Sequence, residues 1–357
     1  MKNKILTIFF CIFIFGFMII NIIVKNEEIS YSERRYLQEL PQLNIKNVFN
    51  KEITNNLESY LTDHFVLRDK FRTIKTLVNL NVLKKQDNNN LYYKDGYIYK
   101  IEYPLKEKTI KSFSNKINNI YDKHLTNMNV YLSIIPDKNY YSKDSNLKMD
   151  YDKLFNQVQK EINSNITYID ITKSLTLNDY YKTDIHWKQE NLNKVVKTLS
   201  ENMNFEIMEE FKENYYEPFY GSYYGQLGLN VEADKLTYLT NEIINNAKIK
   251  DYDSKTETIY EPDSLGKMDS YDVFLSGASS LIEITNESAI SERELIIFRD
   301  SFSSSITPLL LKSYSKITLV DLRYINSSLL TNYIEFNNQD ILFLYNSTII
   351  NNSEMLK

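Results

Sequence analysis

Cysteine is nearly absent from this chain of 357 residues: its one copy, Cys11, lies in an apolar stretch near the N-terminus, so the rest of the chain can hold no internal disulfide. Histidine is almost as scarce. His64, His124 and His186 are the three copies, and a mechanism that needs a proton shuttle near neutral pH must draw on one of them. No second histidine stands at metal-ligand spacing from His186, which counts against a metal centre, and no diffusible cofactor is expected. Glycine (7), proline (6) and alanine are few, whereas Asn, Ile, Lys and Tyr abound; that bias is what an AT-rich coding sequence gives and carries no functional signal. Excess charge is missing as well. The net charge is −5 and the basic residues are scattered, so there is no electrostatic footprint for nucleic acid. No internal repeat is present. What remains, 43% hydrophobic and 25% charged, is globular composition sufficient for one large domain or two modest ones.

The N-terminus is the most informative segment. Lys2 and Lys4 precede an apolar run from Ile5 to Val24 that only Thr7, Gly16 and Asn21 interrupt. About twenty residues at 1.5 Å rise cover roughly 30 Å, the thickness of a bilayer core. A cleaved signal peptide would have a shorter apolar core followed by a small-x-small site. Asn21 to Glu27 (NIIVKNE) offers none, so the run reads as a retained single-pass membrane anchor. The basic N-terminal flank, against Lys25 followed by Glu27 and Glu28, places the N-terminus in the cytoplasm and the body outside. An extracytoplasmic body without disulfides fits a bacterial cell. Ile8-Phe9-Phe10 before Cys11 lacks the small residues of a lipid-attachment site, which leaves Cys11 as apolar filler.

Residues 1–25 are thus an anchor and residues 26–90 a stalk and helical region, with helical spacing from Val48 to Leu83. Residues 91–357 form the main domain. It opens on a hairpin at Leu91 to Ile101, two Tyr-rich runs around Asp95-Gly96. Helices are predicted over Thr109 to Asn127, Tyr151 to Ser164, Lys188 to Met203 and Ser303 to Ser313. Short apolar strands are predicted at Val130 to Ile135, Ile166 to Ile171, Leu295 to Phe298, Ile317 to Asp321 and Ile341 to Tyr345. That alternation predicts an α/β fold with a parallel sheet covered by helices on both faces. Residues 205–269, Tyr-rich, turn-rich and acidic, read as an insertion forming one side of a cleft.

Two places could carry chemistry. In Thr183-Asp184-Ile185-His186-Trp187, a loop can fold Asp184 back onto the His186 imidazole and fix its tautomer, although Asp184 as a helix cap is an equal reading. His124 reads as a solvated or capping residue and His64 as structural. The second place is Arg299-Asp300-Ser301-Phe302, where a strand runs through a tight turn into a helix. This puts a serine hydroxyl at the C-terminal edge of the sheet beside backbone N–H groups. Ser301 as a mere N-cap is the competing reading, and Ser303, Ser304 and Ser305 stand next to it. Lys138 and Arg323 follow predicted strands and could bind an anionic or hydroxyl-rich ligand, or be salt-bridged surface residues. Tyr220, Tyr223 and Tyr224 could stack on sugar rings, but in a chain with 29 tyrosines packing is the default.

Asp184-x-His186-Trp187 followed by Asp300-Ser301-Phe302 resembles the DHHW family of extracytoplasmic proteins, which is related to the SGNH-fold O-acetyltransferases of alginate and other exopolysaccharides. Further blocks occur in matching order: Ser32-Glu33-x-Arg35, Tyr60-Leu61-Thr62-Asp63-His64-Phe65 with Arg68, Lys94-Asp95-Gly96-Tyr97, Pro136-Asp137-Lys138, Phe219-Tyr220-Gly221-Ser222-Tyr223-Tyr224 and Asp321-Leu322-Arg323-Tyr324. The resemblance implies an SGNH-hydrolase-like (flavodoxin-like) fold with Ser301 as nucleophile, His186 as general base and Asp184 as its orienter. The family's usual glycine before Asp-Ser is Arg299 here, which departs from the pattern at a position with an oxyanion role; the Ser301 N–H and Gly277 are the two candidate donors. Also implied are a polysaccharide acceptor, an O-acetyl group to transfer, and a polytopic membrane acyltransferase that delivers it. With water as acceptor the same triad gives an esterase. A non-catalytic glycan-binding or assembly protein is a further class, which Arg299 and the low glycine content keep open.

Overall fold

The computed structural model describes residues 2–42, 51–143 and 148–357. Residues 48–50 of the expected helix from Val48 to Leu83 lie outside them. The chain divides into two compact units, Met1–Asn89 with Tyr224–Val231, and Asn90–Tyr223 with Glu232–Lys357.

The first unit begins with α1 (Lys2–Ile23), 22 residues and apolar enough over Asn3–Ile23 to cross a bilayer. The stretch read as a plain stalk carries a small antiparallel pair, β1 (Ile29–Ser30) with β2 (Arg35–Tyr36). The single expected helix is two, α2 (Glu52–Asp63) and α3 (Arg68–Leu77). They part because Leu67 takes a left-handed backbone (φ 61°), which a helix of L-residues cannot continue, and the Val66 N–H leaves the ladder to donate to Asn21 Oδ1 at 2.7 Å. Charge holds the unit together. Glu33 accepts Arg68 at 2.6 Å and Arg72 at 3.3 Å, while the Arg35 guanidinium grips Asp63 in a two-pronged pair at 2.5 and 2.8 Å. That hydrogen-bonded fork, against the cost of burial, holds the Asp63 carboxyl down at about 2. His64 is structural, its Nε2 lying 2.9 Å from the Gln38 carbonyl.

The second unit opens with the hairpin β3 (Leu91–Lys94) and β4 (Tyr97–Lys100), closed by Gly96 at φ 85°. Its centre is a seven-stranded sheet in the order β6-β5-β13-β11-β12-β10-β9, where β5 is Val130–Ile135, β6 Thr167–Tyr168, β9 Lys248–Asp251, β10 Leu281–Thr285, β11 Glu294–Arg299, β12 Lys316–Val320 and β13 Asp340–Asn346. β6, β5, β13, β11 and β12 are parallel. Both faces are covered, which is why these strands read as unbroken apolar runs. Leu295 and Ile297 face one core with Val195 and Leu199 of α6 (Asn193–Met203). Ile296 and Phe298 face the other, with Phe113 of α4 (Glu107–Ile120) and Leu154 of α5 (Tyr151–Glu161).

The sheet differs from a purely parallel one at one edge. β10 runs antiparallel to both β12 and β9, and β9 comes from within the segment read as an insertion. The rest of that segment builds a second hairpin, β7 (Lys212–Phe219) with β8 (Asp234–Thr240). The strand expected over Ile166 to Ile171 shrinks to β6, and the helix after Ser301 winds regularly only over Ser303–Ile306 before tightening toward Leu310, where Pro308 supplies no N–H.

Ile297, fully buried in the central strand β11, is the position where truncation tests this core. Ile297→Ala should cost about 2–5 kcal/mol of unfolding free energy in a urea titration, without changing the denaturant slope.

Candidate active site

The loop from Tyr180 to Trp187 is anchored at both ends, through the Tyr180–Trp187 bridge and the Tyr181 N–H to His186 carbonyl bond at 3.1 Å. Inside it Asp184 is fully buried. Such a carboxylate must be surrounded by donors, and it is. Oδ1 accepts the His186 backbone N–H at 3.0 Å and lies 2.6 Å from His186 Nδ1, while Oδ2 accepts the Ser222 N–H at 2.6 Å. A bond at Nδ1 leaves the proton-accepting lone pair on Nε2, and Nε2 stands 2.8 Å from Ser301 Oγ. The three expected residues are therefore brought into one hydrogen-bonded line.

The neighbouring serines are not the ones that meet His186. Ser303, Ser304 and Ser305 are buried; Ser304 Oγ accepts from Arg299 at 2.5 Å and Ser305 Oγ from Trp187 Nε1 at 2.9 Å. Ser301 is half-exposed. Asp300 makes the turn that presents it: Oδ1 accepts the Phe302 N–H at 2.9 Å and Oδ2 the Asn346 N–H at 2.6 Å from the end of β13. The Ser301 N–H has no protein acceptor among the described residues.

Tyr271 and Asp234 contribute without any sequence signal. The Tyr271 ring stacks on the His186 imidazole at 3.8 Å between centroids and 4° from parallel, and the Phe302 ring meets it tilted at 4.9 Å. The Tyr271 hydroxyl donates to Ser305 Oγ at 3.0 Å, and Trp187 Nε1 donates to the Phe302 carbonyl at 3.0 Å, so the histidine and serine loops are stitched together. Asp234 accepts the Lys182 and Thr183 N–H groups at 2.7 and 2.8 Å. Gly221, one of seven glycines, and Trp187, the single tryptophan, are the contributors that scarcity could have flagged. A Cβ at Gly221 would lie 2.2 Å from the Asp184 Cβ.

Four expected ligand contacts take other roles. Lys138 is buried, and its Nζ donates to the carbonyls of Tyr181, Lys182 and Asp184 at 2.9, 3.1 and 2.7 Å; one proton for each carbonyl makes it a clamp on the loop, with none left for a ligand. Burial pulls its ammonium down to about 7. Tyr223 is buried too, its ring 4.9 Å from Lys138 Nζ, so it is no stacking platform. Arg323 is salt-bridged, its guanidinium paired with Asp321 at 2.6 to 3.2 Å. Gly277 turns its N–H toward the Phe274 carbonyl at 3.4 Å and occupies a left-handed turn (φ 79°), which leaves no donor for an oxyanion. His124 stacks on Phe336 at 5.1 Å rather than capping a helix. Among the described residues no cluster of three or more His, Cys, Asp or Glu is arranged to hold a metal ion.

Solved structures place this architecture. A DHHW family protein from Eubacterium siraeum superposes with a TM-score of 0.64 at 18% identity, over 75% of this chain and 95% of its own. The fold is the same. PatB1 of Bacillus cereus, determined with a sulfonyl adduct, gives 0.58 at 18% identity over 73% and 95%. The O-acetyltransferase domain of Pseudomonas putida AlgJ is more distant, at 0.44 and 11% identity over 73% and 92%. No family model matches the sequence, nor does any curated protein.

Two measurements check the scaffold of the site. Gly221→Ala should lower the melting temperature and shift the His186 ring resonances, because the added carbon displaces the Asp184 backbone. Burial also lifts the Asp137 carboxyl, beside Lys138, to about 6 against an ordinary 3.8, despite its bonds from the Tyr151 hydroxyl and the Asn139 N–H. A raised folded-state value gives stability that is present below about pH 4 and is lost as pH climbs through about 6. Asp137→Asn should therefore show a smaller loss of melting temperature than the unsubstituted protein between about pH 4 and pH 7.

Proposed function

We propose that the larger unit is a serine O-acyltransferase, acting on a cell-envelope or extracellular polysaccharide from the outer side of a bacterial membrane to which α1 tethers it. The observation that carries this reading is the line Ser301 Oγ–His186 Nε2–Asp184 Oδ1, at 2.8 Å from Oγ to Nε2 and 2.6 Å from Nδ1 to Oδ1. The fold shared with the DHHW family protein supports it, as does PatB1, whose sulfonyl adduct is the kind of product an activated nucleophile gives.

In the reaction Ser301 Oγ attacks the acyl carbonyl as its proton passes to His186 Nε2, and the Ser301 N–H donates to the developing oxyanion. Asp184 stabilises the imidazolium without taking its proton. Collapse returns that proton to the departing group and leaves the acyl group esterified to Ser301. A sugar hydroxyl then gives its proton to His186 and attacks the ester; as the bond to Ser301 Oγ breaks, His186 passes that proton to Oγ, which restores Ser301 and acylates the glycan. With water in place of the sugar hydroxyl the same steps hydrolyse the ester, so the acceptor alone separates transferase from esterase. An acetyl group fits this scheme, and a polytopic membrane acyltransferase is the donor consistent with an anchored protein whose acyl source lies across the bilayer.

Acetyl release from p-nitrophenyl acetate should fall on the order of a thousandfold or more in Ser301→Ala and in His186→Ala, and a sulfonyl fluoride should modify the unsubstituted protein at Ser301 alone. Full activity and unchanged labelling in Ser301→Ala would refute the mechanism. Acetyl transfer to added oligosaccharides that exceeds hydrolysis would settle the acceptor.

A further inference from the structure

The apolar residues of α2 and α3 are not packed into a core. Leu57, Leu61, Phe71, Ile74 and Leu77 are each more than 40% exposed. Leu57, Leu61 and Phe71, with Phe65, line a groove of about 840 Å³ on the first unit. A soluble surface does not leave such a patch open without an occupant. α3 has the character of an interfacial helix: Phe71, Ile74 and Leu77 among Arg68, Lys70, Arg72 and Lys75, with Asp69 as its one acid.

The occupant is identified by where this patch joins α1. Phe17 stacks on Phe65 at 5.6 Å and 7°, and meets Phe71 at 6.0 Å. Asn21 accepts the Val66 N–H. Phe17 lies six residues before the end of α1 at Ile23, which at 1.5 Å per residue is about 9 Å inside the apolar span. A side chain that touches Phe17 shares its depth. Phe65 and Phe71 therefore cannot stand in water while α1 crosses the bilayer.

We infer that α2 and α3 lie in the membrane interface, with their apolar residues in the acyl region of the leaflet from which the C-terminal end of α1 emerges. The partner is a lipid surface. The charges agree with this: Glu33 engages Arg68 and Arg72, while Lys70 and Lys75 remain exposed at the level of anionic headgroups. The first unit is then a wedge beside a spanning helix, seated by more than one contact. This rests on α1 being retained as an anchor.

The test uses the full chain in mixed phosphatidylcholine–phosphatidylglycerol vesicles that contain acyl-chain spin-labelled lipid. A bimane is placed in turn at native Cys11 and, in a Cys11→Ser background, at Leu61→Cys, Ile74→Cys and Lys197→Cys; Lys197 is an exposed position of the second unit. The labels at Cys11, Leu61 and Ile74 should be quenched by the lipid about threefold or more over the Lys197 label, and shielded from aqueous iodide. Leu61 and Ile74 labels that behave like the one at Lys197, while Cys11 is quenched, would overturn the inference and leave the anchor standing. Shielding from iodide without lipid quenching would overturn it in favour of a protein partner or a second copy. A Cys11 label untouched by the lipid would remove the anchor and this inference with it.

Discussion

A buried carboxylate cannot be left to itself, and much of the larger unit answers that constraint. Asp184 has no exposure, and its charge is tolerated because two backbone N–H groups and an imidazole converge on it. Each donor needs its own support. The Ser222 N–H reaches Oδ2 because Gly221 lets two backbones approach more closely than any Cβ allows. The Asp184 carbonyl is clamped by Lys138 from the end of β5, and Thr183 is held by Asp234 from β8. The loop is thus tied to separate parts of the unit, and the aim of the His186 imidazole at Ser301 follows from those ties. They also explain why a lysine that looked ligand-facing in the sequence is buried.

The parts of this structure that were legible are those fixed by local chemistry. Strands β5, β11, β12 and β13 announced themselves as apolar runs, since a strand covered on both faces has no polar alternation to hide it. Asp184, His186 and Ser301 stood out because histidine is rare and because Asp-Ser follows a strand. What could not be read depends on distant partners. β10, buried between β12 and the edge strand β9, is five residues of ordinary mixed sequence (LIEIT) whose pairing depends on those two distant segments. Tyr271 differs from the other tyrosines only by lying on His186, a contact across 85 positions of chain, the difference between 271 and 186. Gly277 and Arg323 were plausible by position along the chain, but a turn carbonyl and an adjacent aspartate claim them first.

The first unit follows a different logic, since its order rests on paired charge and its apolar side chains face outward. Glu33 and Asp63 bind three arginines, Arg35 from β2 and Arg68 and Arg72 from α3, which makes sense of the matching blocks around Ser32 and Tyr60: they are two halves of one salt-bridge network. Surface pairs of this kind contribute little to folding free energy in water. They gain strength where the dielectric falls, as it does near a bilayer.

The order of the three site residues along the chain has a consequence during synthesis. Asp184 and His186 leave the ribosome together, whereas Ser301 follows 115 residues after His186. Until then the emerging polypeptide carries the Asp184–His186 pair without the serine it meets in the folded unit. A chain cut short before Ser301 lacks the hydroxyl that the proposed acyl transfer needs, and the sheet around it closes only with β13, the later strand that joins β11 to β5.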